Sequence, residues 1–483
     1  MTNPPFSKTL FIGSMAFLYA AQVYSAVPGP WDPSNDPKWF NNREFNSLNL
    51  EYHLDHLPLE GQMKDHIAWS DSYWPSNTGG IAFRWNDPKA AQYTDTRITD
   101  ADSVQLRESL GFTYHLYTKQ EAKALTYDQL KVLSPAEKYD IFKGDFSYPT
   151  VKHERAKTNT GMDYWFGICD GWTPAALNHA EPAPINVKDA NGNVENPVYS
   201  KDGILIPFGS ADVKAMINHY YNRTHENSPS AYWAKKRFHI ADAALMGTEC
   251  HTDITKMADP WSVAECADAN AGAFHITMTN QLGRYGRGFG IDVDAGVEIW
   301  NQPVFAYKSV AIGEQGPSPG AAPGTEREVI FNTDLYYADD TYKGKAYWDP
   351  MVGTDNFQYD VVKYQYRVEL DHSGAIIGGE WMHRDLSADL GWLDQIDRTS
   401  EKFKALNDYE KPPLRHDIEV RHNRPDQLWI QRVANFSEGF NGYYGDIYKI
   451  YRPAQPGPID YHQVKPATVT EREDYEEYMR TGN

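Results

Sequence analysis

Apolar positions recur at helical spacing through the middle of the chain and alternate in its second half. Residues 210–222 (SADVKAMINHYYN) put Val213, Met216, Ile217 and Tyr220 on one face of a helix. Two earlier stretches read as helix starts, at Thr126-Tyr127-Asp128-Gln129-Leu130 and Ser134-Pro135-Ala136-Glu137. In the second, Ser134 is the cap, Pro135 opens the first turn and Glu137 closes a capping box. From about residue 272 the period becomes two, which predicts strands over residues 273–278, 288–298, 361–370 and 375–381. Residues 27–100 show little periodicity, and 69–85 (WSDSYWPSNTGGIAFRW) reads as loop and short strand around a Gly-Gly turn. Asn191-Gly192 marks a hairpin turn inside a polar insertion, and Pro and Gly dominate a long loop over residues 313–325.

The order of these patterns predicts an α+β fold. It divides into a leader (1–25), an aromatic-rich N-terminal region (26–130), a catalytic core (131–312), a Pro/Gly-rich loop (313–326) and a strand-rich C-terminal part (327–483) packed on the core.

Charge and composition narrow the partners. The 46 basic and 66 acidic side chains leave a net charge of −20, so a broad basic face for nucleic acid is excluded. The chain holds 32 Tyr, 14 Trp and 20 Phe; such rings suit a core with polar handles or a surface gripping extended polymers, and core packing is the default.

The N-terminus carries Lys8, then a twelve-residue apolar run (residues 10–21), then small residues around Ser25-Ala26. The run is shorter than the ~20 residues a bilayer span needs. It reads as a secretory signal peptide, with no later stretch long enough to anchor the chain. Export to an oxidising compartment makes a disulfide sensible between Cys250 and Cys266, sixteen positions apart, in preference to a zinc site with His251 and Asp253. Cys169 is then the odd cysteine.

Cys169 lies in residues 163–177 (DYWFGICDGWTPAAL), between Gly167 and Gly171 and ahead of a helix-favouring stretch. A cysteine at a helix start faces backbone N–H groups and the positive end of the dipole, which stabilise a thiolate and a developing oxyanion. The flanking Trp165 and Trp172 are candidates for clasping an acyl donor and excluding water. A nucleophilic thiol needs a base, and the base an orienting group. His275, in an alternating pattern 106 positions on, and Asp292 or Asp294, on a following strand, complete a candidate triad; spacing leaves both acids open.

Trp300-Asn301-Gln302-Pro303-Val304 resembles the core of the elicitor peptide of oomycete cell-wall transglutaminases. The segment from Trp165 to Trp172, Ala273-Phe274-His275, residues 289–292, Ser72-Tyr73-Trp74-Pro75, the block from Leu133 to Tyr139 and Gly378-Gly379-Glu380-Trp381 are similar to further blocks of that family, in its order. The resemblance implies a papain-like, transglutaminase-like catalytic core with the nucleophile on a helix N-terminus and the histidine and acid on antiparallel strands. It implies Cys169 as nucleophile, His275 as base and Asp292 as orienting acid, because Asp292 holds the family's place upstream of Trp300. It also implies calcium-dependent activity, with metal ligands unassigned. Phe305-Ala306-Tyr307 departs from the more basic middle of the elicitor peptide, so plant recognition does not carry over.

The expected function is a secreted protein-glutamine γ-glutamyltransferase. Its partners are protein substrates, a glutamine donor and a lysine or other amine acceptor. A papain-like peptidase, amidase or deamidase using the same residues is the alternative, and a non-catalytic wall-binding module is the second. Weaker signals have plainer readings. Residues 189–195 alternate carboxylates and amides like a calcium loop but lack its Gly at position six, so a solvated hairpin is expected. Asn222-Arg223-Thr224 and Asn435-Phe436-Ser437 match the glycosylation sequon.

Overall fold

The computed structural model describes residues 37, 50–92, 97, 99–226, 243–247, 269–292, 300–319, 321–341, 344–382, 427–431 and 442–454. The leader, the Cys250 and Cys266 pairing, Asp294 and the Asn435 sequon lie outside them.

The helical region holds α1 (Ala101–Arg107), α2 (Lys119–Ala124), α3 (Tyr127–Lys131), α4 (Pro135–Lys143), α5 (Pro149–Lys157), α6 (Cys169–Asn178) and α7 (Ser210–Glu226). The Ser134–Glu137 capping box read from sequence forms, and Thr126, read as a helix start, completes a capping box with Gln129. Glu137 does a second task there, because its carboxylate also receives Arg84 Nε (2.8 Å) and a terminal guanidinium nitrogen (2.6 Å). Lys138 meets Asp212 of α7 at 2.6 Å with both side chains fully buried, which locks α4 to α7. α8 (Ala271–Met278) precedes most of the strands in the chain, and α9 (Ile447–Ile450) follows the last of them. The segment carrying α9 returns to the helices, where Tyr443 donates to Asp140 and Tyr451 to the Ala180 carbonyl, each at 2.9 Å.

Among the described residues the strands are β1 (Glu60–Gln62), β2 (Ala243–Gly247), β3 (Phe289–Asp292), β4 (Asn301–Gln315), β5 (Arg327–Ala338), β6 (Tyr359–Leu370), β7 (Ile376–Trp381) and β8 (Gln427–Gln431). They form one antiparallel sheet in the order β2-β8-β3-β4-β5-β6-β7, with β1 also on β4. One edge of β4 is shared: β3 pairs with residues 301–304 and β1 with 306–308. The period-two reading holds for β6, where Val362, Tyr364, Tyr366, Val368 and Leu370 are buried and Lys363 and Gln365 are not. β4 runs on to Gln315, through the boundary expected at 312/313.

Two expectations are corrected. Residues 273–278 are helical, not a strand: all eight residues of α8 are buried, so no polar stripe betrays the helix. Its overlooked cue is Asn270, whose side chain caps the backbone N–H groups of Gly272 and Ala273. The histidine expected on a strand therefore stands on a helix. Residues 69–85, read as loop and short strand, form 3-10 turns at Ser76–Thr78 and Gly80–Ala82 and no strand; 67–82 are buried throughout, and Trp69 and Trp74 are among the most deeply buried rings.

Candidate active site

Cys169 is the first residue of α6, and it is partly exposed. Ile168 before it has extended φ (−123°) and offers no side-chain cap, so the helix start is held by backbone instead. The Ile168 N–H donates to the Tyr73 carbonyl (2.8 Å), and the Ile168 carbonyl accepts from Gly171 and Trp172. The two glycines around the cysteine have a steric reason. A Cβ on Gly167 would collide with the Tyr73 carbonyl, and one on Gly171 with the Asn218 carbonyl of α7. The thiol thus sits where an irregular segment, a helix and a neighbouring helix meet at their closest approach.

The charged neighbour of the thiol is turned aside. Asp170 accepts from Asn222 Nδ2 at 3.2 Å to each oxygen, and Asn222 in turn accepts from Lys157 Nζ at 2.8 Å. Asn222 is buried by this arrangement, which leaves no room for a glycan on its sequon. Beneath it, Asp71 is fully buried, with one carboxylate oxygen accepting from Trp74 Nε1 (3.0 Å) and Asn218 Nδ2 (2.8 Å). Burial raises its pKa to about 7, partly offset by Lys214.

The other wall is β4. Asn301 is 4 % exposed, and its side-chain Nδ2 lies 3.8 Å from Cys169 Sγ. Its carbonyl accepts from Thr173 Oγ1 of α6 at 2.8 Å, so strand and helix are fastened one turn past the thiol. Asp292 of β3 is the residue paired with Asn301 across the sheet. Trp300 packs edge-on to Tyr73, ring centres 5.5 Å apart.

The two tryptophans flanking the cysteine part company. Trp165 stacks on Phe166 at 4.1 Å, and Phe166 is 40 % exposed, so this pair forms a rim near the site. Trp172 is wholly buried, donating Nε1 to the Trp69 carbonyl at 3.0 Å; it faces the core and cannot contact an incoming substrate.

His275 is not brought to Cys169. Its Nδ1 pairs with the Tyr366 hydroxyl (2.8 Å), that hydroxyl with Thr333 Oγ1 (2.9 Å), and Thr333 with Ser309 Oγ (2.7 Å). This relay meets β4 eight residues beyond Asn301, roughly 26 Å along an extended strand. The imidazole is fully buried against Phe331, its Nε2 has no hydrogen-bond partner among the described residues, and burial lowers its pKa to about 3. These are the surroundings of a neutral core histidine.

Among the described residues no group of three or more His, Cys, Asp or Glu side chains is arranged to hold a metal ion. Asp189 spends its carboxylate on the N–H groups of Asn191 and Asn193, which makes the expected solvated hairpin. Asp339 and Asp340 converge, but on the Gln302 Nε2 donor.

Sequence reasoning missed Asn301, Tyr73 and Asn222. Asn301 stood inside the quoted Trp300–Val304 block, and its nearness to the thiol has no signature in spacing.

A family model described as transglutaminase elicitor matches residues 41–397. The chain is also similar to the crystal structure of the GP42 transglutaminase from Phytophthora sojae, at 20% identity over 85% of this chain and 94% of that chain, with a TM-score of 0.44. No curated protein matches it.

Proposed function

The chain belongs to the transglutaminase elicitor family, and from that premise we propose that it is a protein-glutamine γ-glutamyltransferase with Cys169 as its nucleophile. The observation that carries this reading is the seat of the thiol: partly exposed, on the first residue of a ten-residue helix, with a polar amide beside it. N–H groups in the first turn of a helix lack intrahelical acceptors and favour negative charge.

The net chemistry is two acyl transfers. The sulfur bonds to the γ-carbonyl carbon of a glutamine side chain, the C–N bond breaks, and nitrogen leaves as ammonia carrying the proton the thiol gave up. An amine then bonds to the thioester carbon, the C–S bond breaks, and the thiol regains a proton. Water in place of the amine gives deamidation. We keep Asp292 in the reading as the acid nearest in the chain's pairing, because its backbone lies across from Asn301. His275 is left out of the transfer, since its hydroxyl relay meets β4 at Ser309, eight residues beyond Asn301. Trp165 and Phe166 are the rings available to an approaching substrate.

Export belongs to the same proposal, resting on the leader read from sequence. No described helix is long and apolar enough to cross a membrane. Calcium dependence also belongs to it, without any step assigned to the ion.

The test is incorporation of a primary amine into a glutamine-bearing protein, measured beside peptide-bond cleavage, with calcium and with chelator. Incorporation by the wild type and none by Cys169→Ala supports the proposal. Cleavage without incorporation overturns it in favour of a peptidase, and equal rates with chelator remove calcium while leaving the nucleophile.

A further inference from the structure

We propose that the side-chain amide of Asn301 is a catalytic residue, donating an Nδ2 hydrogen to the Cys169 thiolate and then to the oxyanion formed when that thiolate adds to a carboxamide. The proposal rests on the γ-glutamyl transfer reading above.

Three observations converge on it. Nδ2 is 3.8 Å from Sγ, within the range of a weak hydrogen bond to sulfur. The backbone that carries it is held: the Thr173 hydroxyl of α6 donates to the Asn301 main-chain carbonyl, and β3 pairs with the same residue at Asp292. It is 4 % exposed, so the donor works in a medium that weakens a hydrogen bond far less than water does. A helix start and a strand start, fastened to each other through the main chain, thus present one thiol and one neutral donor side by side.

The type of residue also fits. The carboxylate adjacent in sequence, Asp170, would repel a thiolate, and it is tied to Asn222 on α7. An asparagine offers N–H without negative charge. In the addition step the S–C bond forms and the carbonyl π pair moves onto oxygen. No proton changes hands. Sulfur and oxyanion are then substituents of one carbon, so a donor facing the first reaches the second by a small rotation, beside the N–H groups opening α6. When the intermediate collapses the pair returns to the C=O bond, the C–N bond breaks, nitrogen leaves as ammonia with the proton the thiol released on ionising, and the amide turns to the second acyl transfer.

The experiment uses the full chain with Asn301→Ala and the near-isosteric Asn301→Asp. Cys169 alkylation by iodoacetamide is followed against pH by mass analysis of the peptide that carries it. Removing a donor to a charged group is expected to slow alkylation at pH 6 by roughly tenfold in Asn301→Ala, and the introduced carboxylate to slow it further. The kcat for amine incorporation is expected to fall on the order of 100-fold, with KM within about threefold. Should Asn301→Ala fail to fold, Asn301→Asp decides by the same readouts. A folded variant with unchanged alkylation and unchanged kcat overturns the proposal. Slowed alkylation beside a wild type that incorporates no amine keeps Asn301 as the thiolate's donor and overturns the transferase reading instead.

Discussion

Cys169 and His275 lie against the same sheet and share almost nothing else. Cys169 is partly exposed at a helix start, among groups whose contacts are long or backbone-made: a 3.8 Å amide on sulfur, and a carbonyl of Tyr73 holding Ile168. His275 is sealed on a helix with every residue buried, at the end of a hydroxyl relay through Tyr366, Thr333 and Ser309. The thiol is partly exposed, with the Asn301 amide beside it. The imidazole is sealed from solvent, with its Nδ1 held in the hydroxyl relay. A buried polar group with its partners satisfied adds rigidity, and one offered to a cleft adds chemistry.

The contrast breaks most directly at the thiol. Cys169→Ala is expected to abolish amine incorporation to background while the urea midpoint stays close to the wild type, since a partly exposed sulfur contributes little packing; residual turnover would show that another nucleophile acts. Next in size is Trp172→Ala. Loss of a fully buried indole should lower stability by about 3–5 kcal/mol in urea unfolding, whereas a change confined to KM would return Trp172 to the substrate side. His275→Gln should lower stability by about 1–3 kcal/mol by disturbing the Tyr366 contact, with kcat per folded molecule within twofold. A collapse of kcat in a folded variant would put the histidine back into the chemistry.

The pH dependence of that same pair sharpens the point. A histidine whose folded pKa lies near 3, below the ordinary value of 6.5, adds stability that is present above pH 6.5 and lost as pH falls toward 3. The stability gap between wild type and His275→Gln should therefore narrow by about 2 kcal/mol from pH 7.5 to pH 5. A gap that stays constant in paired urea titrations would contradict a neutral, buried imidazole. The smallest effect is expected at the rim: Trp165→Ala should raise KM for the glutamine substrate about fivefold and leave stability within about 0.5 kcal/mol. An unchanged KM would take the Trp165–Phe166 stack out of substrate contact.

Local rules were readable wherever a few adjacent residues carry the whole signal. The capping box at Ser134 and the helix start at Thr126 formed because each needs only a hydroxyl and an acid or amide three residues on. The helix starting at Cys169 was foreseen from the stretch after it, and the alternating residues of β6 from their period. The reading failed where burial is complete. In α8 every position is apolar or sequestered, so a helix and a strand look alike, and the strand reading carried His275 with it. Trp172 was misjudged for a related reason: nearness in sequence to Cys169 says nothing about which face of α6 a side chain occupies, and Trp172 points to Trp69.

From the sequence alone came a strongly acidic chain, an order of helices before strands, and a lone cysteine between two glycines at a helix start. These follow from charge count, periodicity and turn chemistry, which act over a few residues. Pairing Asn301 with Cys169, 132 positions apart, and parting His275 from it, required the folded sheet. Strand register and helix docking are sums over many distant contacts, and no short stretch of the chain records them.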